Sequence, residues 1–155
     1  MKQTNKSKNY EKLKLKNQLC FPLYAVSRQI VNLYTPVLKP FGITYTQYIV
    51  FMVLWEEDGI TMSELGKRLY LNNGTLTPLI KKLEQDGYIT RERSQEDERI
   101  VRLFLTDKGH EFRDKLIDVP TEVGACVSLN KEDAAALYKI LYSLLDNFEN
   151  RVGRI

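Results

Sequence analysis

The chain has 155 residues, of which 43% are hydrophobic, and its formal net charge is +3. This length allows one domain-sized core, and no apolar run approaches the roughly 20 residues that cross a bilayer, which excludes a membrane-spanning protein. No apolar segment of the signal-peptide type follows the lysine-rich N-terminus, so we expect a cytoplasmic protein.

Positive charge is concentrated at the N-terminus. Residues 1–16 hold six lysines and one glutamate, a net charge of +5, which leaves −2 for the rest of the chain. We interpret residues 1–12 as a flexible basic tail that is solvated. The alternative is an arm that contacts DNA phosphates.

The N-terminal third predicts one long helix and one buried helix. Apolar residues recur at helical spacing from about 11 to 38, with Pro22 near the start of the pattern. Residues 39–42 (Lys-Pro-Phe-Gly) are typical of a turn. A capping box at 44–47 (Thr-Tyr-Thr-Gln) predicts a helix over 45–56. Because that helix is apolar almost all round, we expect it to be buried.

Two shorter helices follow. A second capping box at 61–64 (Thr-Met-Ser-Glu) predicts a helix that ends near Tyr70. Asn72 caps the next helix, which ends at Gly87 and has one apolar stripe and one polar edge. Pro78 should weaken the first turns of this helix because it donates no hydrogen bond.

A charged hairpin comes directly after these helices. Residues 88–93 and 100–105 are rich in β-branched and aromatic side chains and predict two strands, joined by a polar tip at 94–99. Helix, turn, helix and two-stranded ribbon is the order of a winged helix-turn-helix, here over 44–106. The expected fold class is therefore mainly α with a small β-wing. In that fold the second helix enters a DNA major groove while the wing reaches the neighbouring backbone or minor groove.

The polar and basic residues of this module are the candidate DNA contacts. The small hydroxyl and amide side chains at the start of the second helix suit base edges and phosphates, with an ordinary solvated helix face as the alternative. We expect Arg99 at the wing tip to contact DNA while Asp97 holds it in place. The predicted DNA-binding residues are Asn73, Thr75, Thr77, Lys81, Lys82, Arg91, Arg93, Asp97 and Arg99.

The C-terminal third predicts two more helices. The first covers 107–119, and Pro120 and Gly124 disturb its continuation. Asn130 caps the last helix, whose broad apolar face extends to Phe148. This face is large for a helix at the end of a small chain.

The first and last helices together present more apolar surface than one winged helix can cover. We therefore predict that 13–40 and 107–150 are dimerisation helices, within a single domain that spans 1–155. A two-fold dimer would place two recognition helices about 34 Å apart, which suits a palindromic DNA site.

The two cysteines are the candidate reactive groups. Cys20 and Cys126 lie 106 residues apart and form no CxxC pair, and with one histidine in the chain we expect no metal site and no cofactor. A lone cysteine is most often a small buried hydrophobe, and for Cys126 this is the plain interpretation. Pro22 changes the case for Cys20, because proline is best tolerated in a first helical turn. Cys20 would then lie at or just before a helix N-terminus, where exposed amides favour the reactive thiolate.

Several motifs carry a resemblance to a known family. The wing motif Asp97-x-Arg99-x-x-x-x-x-Leu105-Thr106 looks like that of the MarR (multiple antibiotic resistance regulator) family. Further segments are similar to its organic hydroperoxide resistance regulators, namely Asn17–Tyr24, Tyr34, Thr44–Tyr48, Leu71–Pro78 and Arg91–Arg99. The resemblance covers about 13–148. It implies a homodimeric repressor that leaves double-stranded operator DNA when an organic hydroperoxide oxidises a cysteine.

The resemblance also assigns roles to individual residues. It makes Cys20 the oxidised thiol, with the hydroxyls of Tyr34 and Tyr45 as its hydrogen-bond partners. A second thiol near the position of Cys126 resolves the sulfenic acid across the dimer in two-cysteine members of the branch. One-cysteine members use a low-molecular-weight thiol instead.

Three other functions are compatible with the sequence. A member of the same family could sense a small phenolic or lipophilic ligand, in which case mutation of Cys20 would leave its response intact. A thiol peroxidase would use the same Cys20 chemistry with turnover. A winged helix can also serve protein contacts alone.

Overall fold

The computed structural model describes residues 10–94, 97 and 99–152, of which 150–152 are described for the backbone alone. Within this part of the chain, seven α-helices and two strands follow one another. They are α1 Cys20–Leu38, α2 Tyr45–Glu56, α3 Met62–Leu69, α4 Asn73–Gln85, β1 Ile89–Arg93, β2 Val101–Leu105, α5 Asp107–Lys115, α6 Val119–Cys126 and α7 Lys131–Val152. Most of the predicted tail at 1–12, and residues 95, 96 and 98 of the wing tip, lie outside the described residues.

The fold class predicted from the sequence is confirmed. β1 and β2 form an antiparallel pair in which Ile89 lies opposite Leu105. The sheet extends toward the segment before α3 through two backbone hydrogen bonds of Leu103, both of 2.9 Å. The N–H of Leu103 donates to the carbonyl oxygen of Ile60, and the carbonyl oxygen of Leu103 accepts the N–H of Gly59. The wing is thus anchored to the chain just ahead of α3.

Helix α2 is buried, as its composition predicts. Tyr48, Val50, Phe51 and Leu54 are at most 3% exposed. The predicted capping box at its start is also present, with the two reciprocal hydrogen bonds between 44 and 47. Burial of each large apolar side chain in such a core contributes about 1.5–3 kcal/mol.

An aromatic cluster joins α2 to the wing and to α5. The ring of Phe51 lies 5.2–5.4 Å from the rings of its three neighbours Trp55, Tyr88 and Phe112. Trp55 Nε1 donates to the carbonyl oxygen of Gly109 at 3.0 Å, so the indole N–H is satisfied inside the cluster. Strand β1, helix α5 and helix α2 therefore share one core.

The first long helix begins later than the apolar spacing predicts. Residues Tyr10–Leu13 and Leu15–Asn17 form separate 3₁₀ turns, and α1 begins at Cys20. Pro22 explains the difference, because proline lacks an N–H and is accommodated without loss in the first turn of a helix. The helix start therefore lies two residues before this proline.

The segment after the wing also departs from the prediction. Helix α5 ends at Lys115 rather than near 119, and Pro120 is the second residue of a new helix, α6. Gly124 lies inside α6 rather than ending it. The predicted Asn130 cap of α7 is present, since Asn130 Oδ1 accepts the N–H of Asp133 at 2.7 Å.

The chain divides into two compact units, one up to Val123 and one from Gly124 onward. The second unit consists mainly of α7. No single described helix is both long and apolar enough to cross a bilayer, and the pair 20–41 and 45–56, which reaches this together, is bent by 78°.

Substitution of Gly109 tests the packing of α5 against the wing. A Cβ at this position would lie 2.3 Å from the carbonyl oxygen of Tyr88, a backbone atom that cannot rotate away. We expect Gly109→Ala to lower the free energy of unfolding by about 1–3 kcal/mol, measured by chemical denaturation. Gly124→Ala is the matched control, because a Cβ there has nothing within 4 Å, and it should be neutral or stabilising by up to about 1 kcal/mol. Equal stability of the two variants would contradict this packing.

Candidate nucleic-acid interface and thiol site

The exposed start of α4 is fixed by the side chain of Asn72. Its Oδ1 accepts hydrogen bonds from Thr75 N at 3.0 Å and Thr75 Oγ1 at 3.2 Å. The hydroxyl of Thr77 donates to the carbonyl oxygen of Asn73 at 2.7 Å, and α4 continues through Pro78 without a break. Both threonine hydroxyl protons are thus used within the helix. Their exposed oxygens and methyl groups face outward from a rigid turn.

A cleft of about 430 Å³ lies between the starts of α3 and α4 and the tip of the wing. It brings together two groups of predicted DNA contacts, the start of α4 and Arg99. Its lining residues are Thr61, Met62, Ser63, Asn73, Thr77, Arg99, Ile100 and Val101. Thr61 and Ser63 are missing from the predicted DNA contacts, although the capping box at 61–64 had placed them at a helix start.

The wing tip is held by Asp97. Its Oδ1 accepts the backbone N–H of Arg99 at 2.9 Å, and its carbonyl oxygen accepts the N–H of Ile100 at 2.9 Å. The side chain of Arg99 is exposed, and no carboxylate among the described residues pairs with it. This geometry fits the expectation that Asp97 orients Arg99.

The remaining basic residues of the predicted set fall into two groups. Lys82 pairs with Asp86 at 2.8 Å, and Arg91 pairs with Glu84. The hydrogen bond and charge of Glu84 raise the pKa of the Arg91 guanidinium above its ordinary value. Lys81 and Arg93 are exposed, and neither forms an ion pair with a carboxylate among the described residues. The acidic partners were not anticipated from the sequence.

Cys20 is the first residue of α1 and is exposed. The prediction that it lies at a helix N-terminus is therefore confirmed. The amides of the first turn point toward this end of the helix, and they favour negative charge there. Around it, Leu19, Phe21 and Leu23 are large apolar residues that remain 39–72% exposed.

The predicted tyrosine partners of the thiol lie together. The rings of Tyr34 and Tyr45 are 4.7 Å apart, and the ring of Tyr48 is 5.8 Å from that of Tyr34. Burial raises the pKa of all three phenols, and the neighbouring tyrosines raise the pKa of Tyr45 and Tyr48 further. At neutral pH these groups are protonated and can donate hydrogen bonds.

Cys20 and the tyrosine cluster are too far apart to form one site within a single chain. Cys20 and Tyr34 stand fourteen residues apart on the continuous helix α1. At 1.5 Å per residue this separation is about 21 Å along the helix axis. A hydrogen bond between this thiol and this phenol would therefore need two copies of the chain. Nearer to the thiol, Tyr24 is exposed and its hydroxyl accepts a hydrogen bond from Arg28 Nη1 at 2.9 Å.

Cys126 is the last residue of α6 and belongs to the second compact unit. It is exposed in the single chain, which differs from the interpretation of Cys126 as a small buried residue. Among the residues that the structure describes, no group of three or more His, Cys, Asp or Glu side chains could hold a metal ion.

A second, mainly apolar groove of about 310 Å³ lies between α2 and the α5–α6 segment. Its walls combine aromatic and aliphatic side chains with one acid and one base. They are Tyr48, Met52, Trp55, Glu56, Arg113, Leu116, Ile117 and Pro120.

Comparison with known proteins gives relatives along nearly the whole chain. The profile of the transcriptional regulators SarA and Rot matches residues 32–116. An organic hydroperoxide resistance transcriptional regulator of Bacillus subtilis (strain 168) is 42% identical over 142 residues, which cover 92% of this chain and 97% of the relative.

Solved structures of AbfR, a protein of Staphylococcus epidermidis, are similar as well. Reduced AbfR bound to DNA is 38% identical and has a TM-score of 0.73, with 89% of this chain and 96% of AbfR covered. The disulfide-formed AbfR is 40% identical with a TM-score of 0.61, and the match covers 87% and 95% of the two chains.

Proposed function

The chain belongs to the MarR-like family of winged-helix transcriptional regulators, which includes the SarA/Rot and organic hydroperoxide resistance regulators, and we propose that it is a dimeric repressor released from DNA when an organic hydroperoxide oxidises Cys20. It is a DNA-binding regulator and not an enzyme, so the thiol peroxidase alternative is wrong. The observation that carries the proposal is the exposed Cys20 thiol at the first residue of α1, within apolar surface. Such a regulator would act in the cytoplasm, where its DNA is.

The proposed DNA contacts follow from the cleft between α3, α4 and the wing. Asn73, Thr75 and Thr77 would face base edges in the major groove, and Arg99 would contact the backbone or the minor groove. Lys81 and Arg93 would add contacts to phosphates. Arg91 and Lys82, the other basic residues of the predicted set, already pair with carboxylates. The relative solved in complex with DNA shares the fold over most of its length, which supports this assignment.

Dimerisation is supported by solvent-exposed apolar side chains on both α1 and α7. On α7 the side chains of Tyr138, Ile140 and Phe148 are 57–63% exposed. A second copy of the chain would cover surface of this kind and contribute about 25 cal/mol for each Å² of apolar area removed from water. It would also provide the second chain that a contact between Cys20 and Tyr34 requires.

The proposed oxidation proceeds in two balanced steps. The Cys20 thiolate attacks one peroxide oxygen, the O–O bond breaks, and the alkoxide takes up a proton and leaves as an alcohol. The sulfur is thereby oxidised to a sulfenic acid and the peroxide is reduced. The thiolate of Cys126 of the partner subunit then attacks this sulfur, the S–O bond breaks as the S–S bond forms, and the departing hydroxide takes up a proton to give water. A relative solved in a disulfide form supports the second step.

A ligand-sensing repressor is the second candidate, and the groove between α2 and the α5–α6 segment favours it. This groove has room for a small lipophilic molecule, with Arg113 as a cationic group at its wall. Such a repressor would respond to its ligand without any change at Cys20. The response of a cysteine variant therefore separates the two candidates.

The first functional prediction concerns Arg99. Because the proposed phosphate contact releases a counterion, Arg99→Ala should reduce the slope of log K against log salt by about 0.9 for each bound subunit. Binding would be measured by fluorescence anisotropy, on a duplex selected from a random pool by the parent protein and on a random duplex. Lys115→Ala, on the exposed surface of α5, is the control and should keep the parent slope. Equal slopes for Arg99→Ala and the parent would exclude this contact.

The second functional prediction concerns the sensor. Cys20→Ser should bind the selected duplex like the parent but stay bound after one equivalent of cumene hydroperoxide, since a hydroxyl forms no sulfenic acid. Tyr34→Phe should slow release, because a phenol that donates to the thiolate would be lost. Full release of Cys20→Ser by the peroxide would support the ligand-sensing candidate instead.

The third functional prediction is a covalent dimer. Joining Cys20 to Cys126 of the partner subunit requires Cα atoms within roughly 7 Å. On a non-reducing gel, peroxide should convert the parent protein into a dimer and leave Cys126→Ser as a monomer. Mass spectrometry should then find sulfenic or higher acids on Cys20 of that variant. An oxidised parent that runs as a monomer with a small thiol on Cys20 would establish the one-cysteine mechanism.

A further inference from the structure

The strand that follows the recognition helix is tied to it by an ion pair. Arg91 of β1 reaches Oε2 of Glu84 with Nε at 2.8 Å and with Nη2 at 2.6 Å. Two donors of one guanidinium thus converge on one carboxylate oxygen of α4. The side chains are 39% and 32% exposed, so the pair lies at the edge of the wing rather than in the core.

The neighbouring arginine provides an internal comparison. Arg91 and Arg93 alternate with Glu92 along β1 and therefore point to the same face of the strand. Both line a cleft of about 210 Å³ together with Glu84 and Val101. Glu84 forms its ion pair with Arg91, whereas Arg93, in the same cleft, forms no ion pair with a carboxylate among the described residues. Of two arginines on one strand face, one is therefore held in an ion pair and the other is not.

The ion pair also lies far from the start of α4, which is the end of the helix that lines the cleft with Arg99. Asn73 at the start of α4 lines that cleft, and Glu84 stands eleven residues further along the helix. This is about 16 Å along the helix axis. A phosphate that bound Arg91 would have to replace a carboxylate already in place, so the exchange would bring little net attraction.

We infer that Arg91 is a positioning residue and that its pair with Glu84 fixes the angle of the wing relative to the recognition helix. This inference rests on the proposed DNA-binding role, and it removes Arg91 from the predicted phosphate contacts. Arg93 keeps that role. Loss of the pair would let the wing move relative to α4, so that the wing and α4 would no longer fit one operator together. Selectivity for the operator over other DNA would then fall.

Salt titrations with two variants of the full-length protein test the inference. On the selected duplex, Arg91→Ala should weaken binding about twofold to fivefold, the range for an exposed ion pair, with the salt slope unchanged. Arg93→Ala, from the same strand face, is the matched control and should lower the slope by about 0.9 for each bound subunit. An equal loss of slope in Arg91→Ala would overturn the inference and make Arg91 a phosphate contact.

Glu84→Gln provides the second test, because it removes the charge while keeping the size of the side chain. The measured quantity is the ratio of the affinities for the selected and the random duplex. The loss of a negative charge raises the affinity for both duplexes alike, so this effect cancels in the ratio. We expect this ratio to fall about twofold to fivefold, and to fall no further in Glu84→Gln/Arg91→Ala. Stronger binding to both duplexes with an unchanged ratio would overturn the inference. A parent protein that selects no sequence at all would instead overturn the proposed function, and the inference with it.

Discussion

The burial of most of α2, with Met52 as its exposed apolar side chain at 40%, is the constraint on which the rest of this structure depends. A helix that is apolar on every side is stable only when other elements surround it. At its first turn Tyr45 packs on Tyr34 of α1, and at its last turn Trp55 donates to the backbone of Gly109 in α5. The same helix therefore joins the element that carries the thiol to the elements that carry the wing.

The end of α2 is linked to the wing by hydrogen bonds as well as by packing. Asp58, two residues after the helix, accepts the N–H groups of Gly59 and Leu105 through one carboxylate oxygen, at 3.0 and 2.9 Å. Arg102 of β2 donates to the carbonyl oxygen of Gly59 at 2.9 Å. Close-packed interiors deform little. A displacement of α2 at the end that carries Tyr45 would therefore also move the segment at 58–59 and the strand β2 that is hydrogen-bonded to it. Under the proposed function, this is the route by which a change at α1 would reach DNA.

Local chemistry explains which parts of the fold were predictable. The capping boxes at 44–47 and 61–64, the Asn130 cap and the two wing strands depend on residues close together in sequence, and the structure contains all of them. The apolar spacing placed the start of α1 too early, whereas Pro22 indicated the correct start at Cys20. The break between α5 and α6 was expected at Pro120 and lies a few residues before it. Apolar spacing alone marks which side chains can share a helix face, and it does not say where the backbone hydrogen bonds begin.

Contacts between distant segments could not be derived in this way. The pair of Arg91 with Glu84 crosses from strand to helix, and the sequence shows Arg91 merely as one more base in a basic hairpin. The sequence placed Cys20 and Tyr34 on the first long helix, but it did not give the distance between them. Each residue was assigned to α1, yet their separation of about 21 Å follows from the helix length and excludes a contact within one chain.

That separation gives the exposed apolar surface around Cys20 a chemical meaning. Leu19, Phe21 and Leu23 border the thiol and remain open to solvent in the single chain. If a second chain covers them, the thiol lies at the edge of an apolar interface rather than in water. An alkyl group that enters such an interface gains about 0.8 kcal/mol for each buried CH₂, and hydrogen peroxide has no group that could gain it. The surface that favours a dimer would therefore also favour an organic peroxide as the oxidant, so that assembly and selectivity have one physical cause.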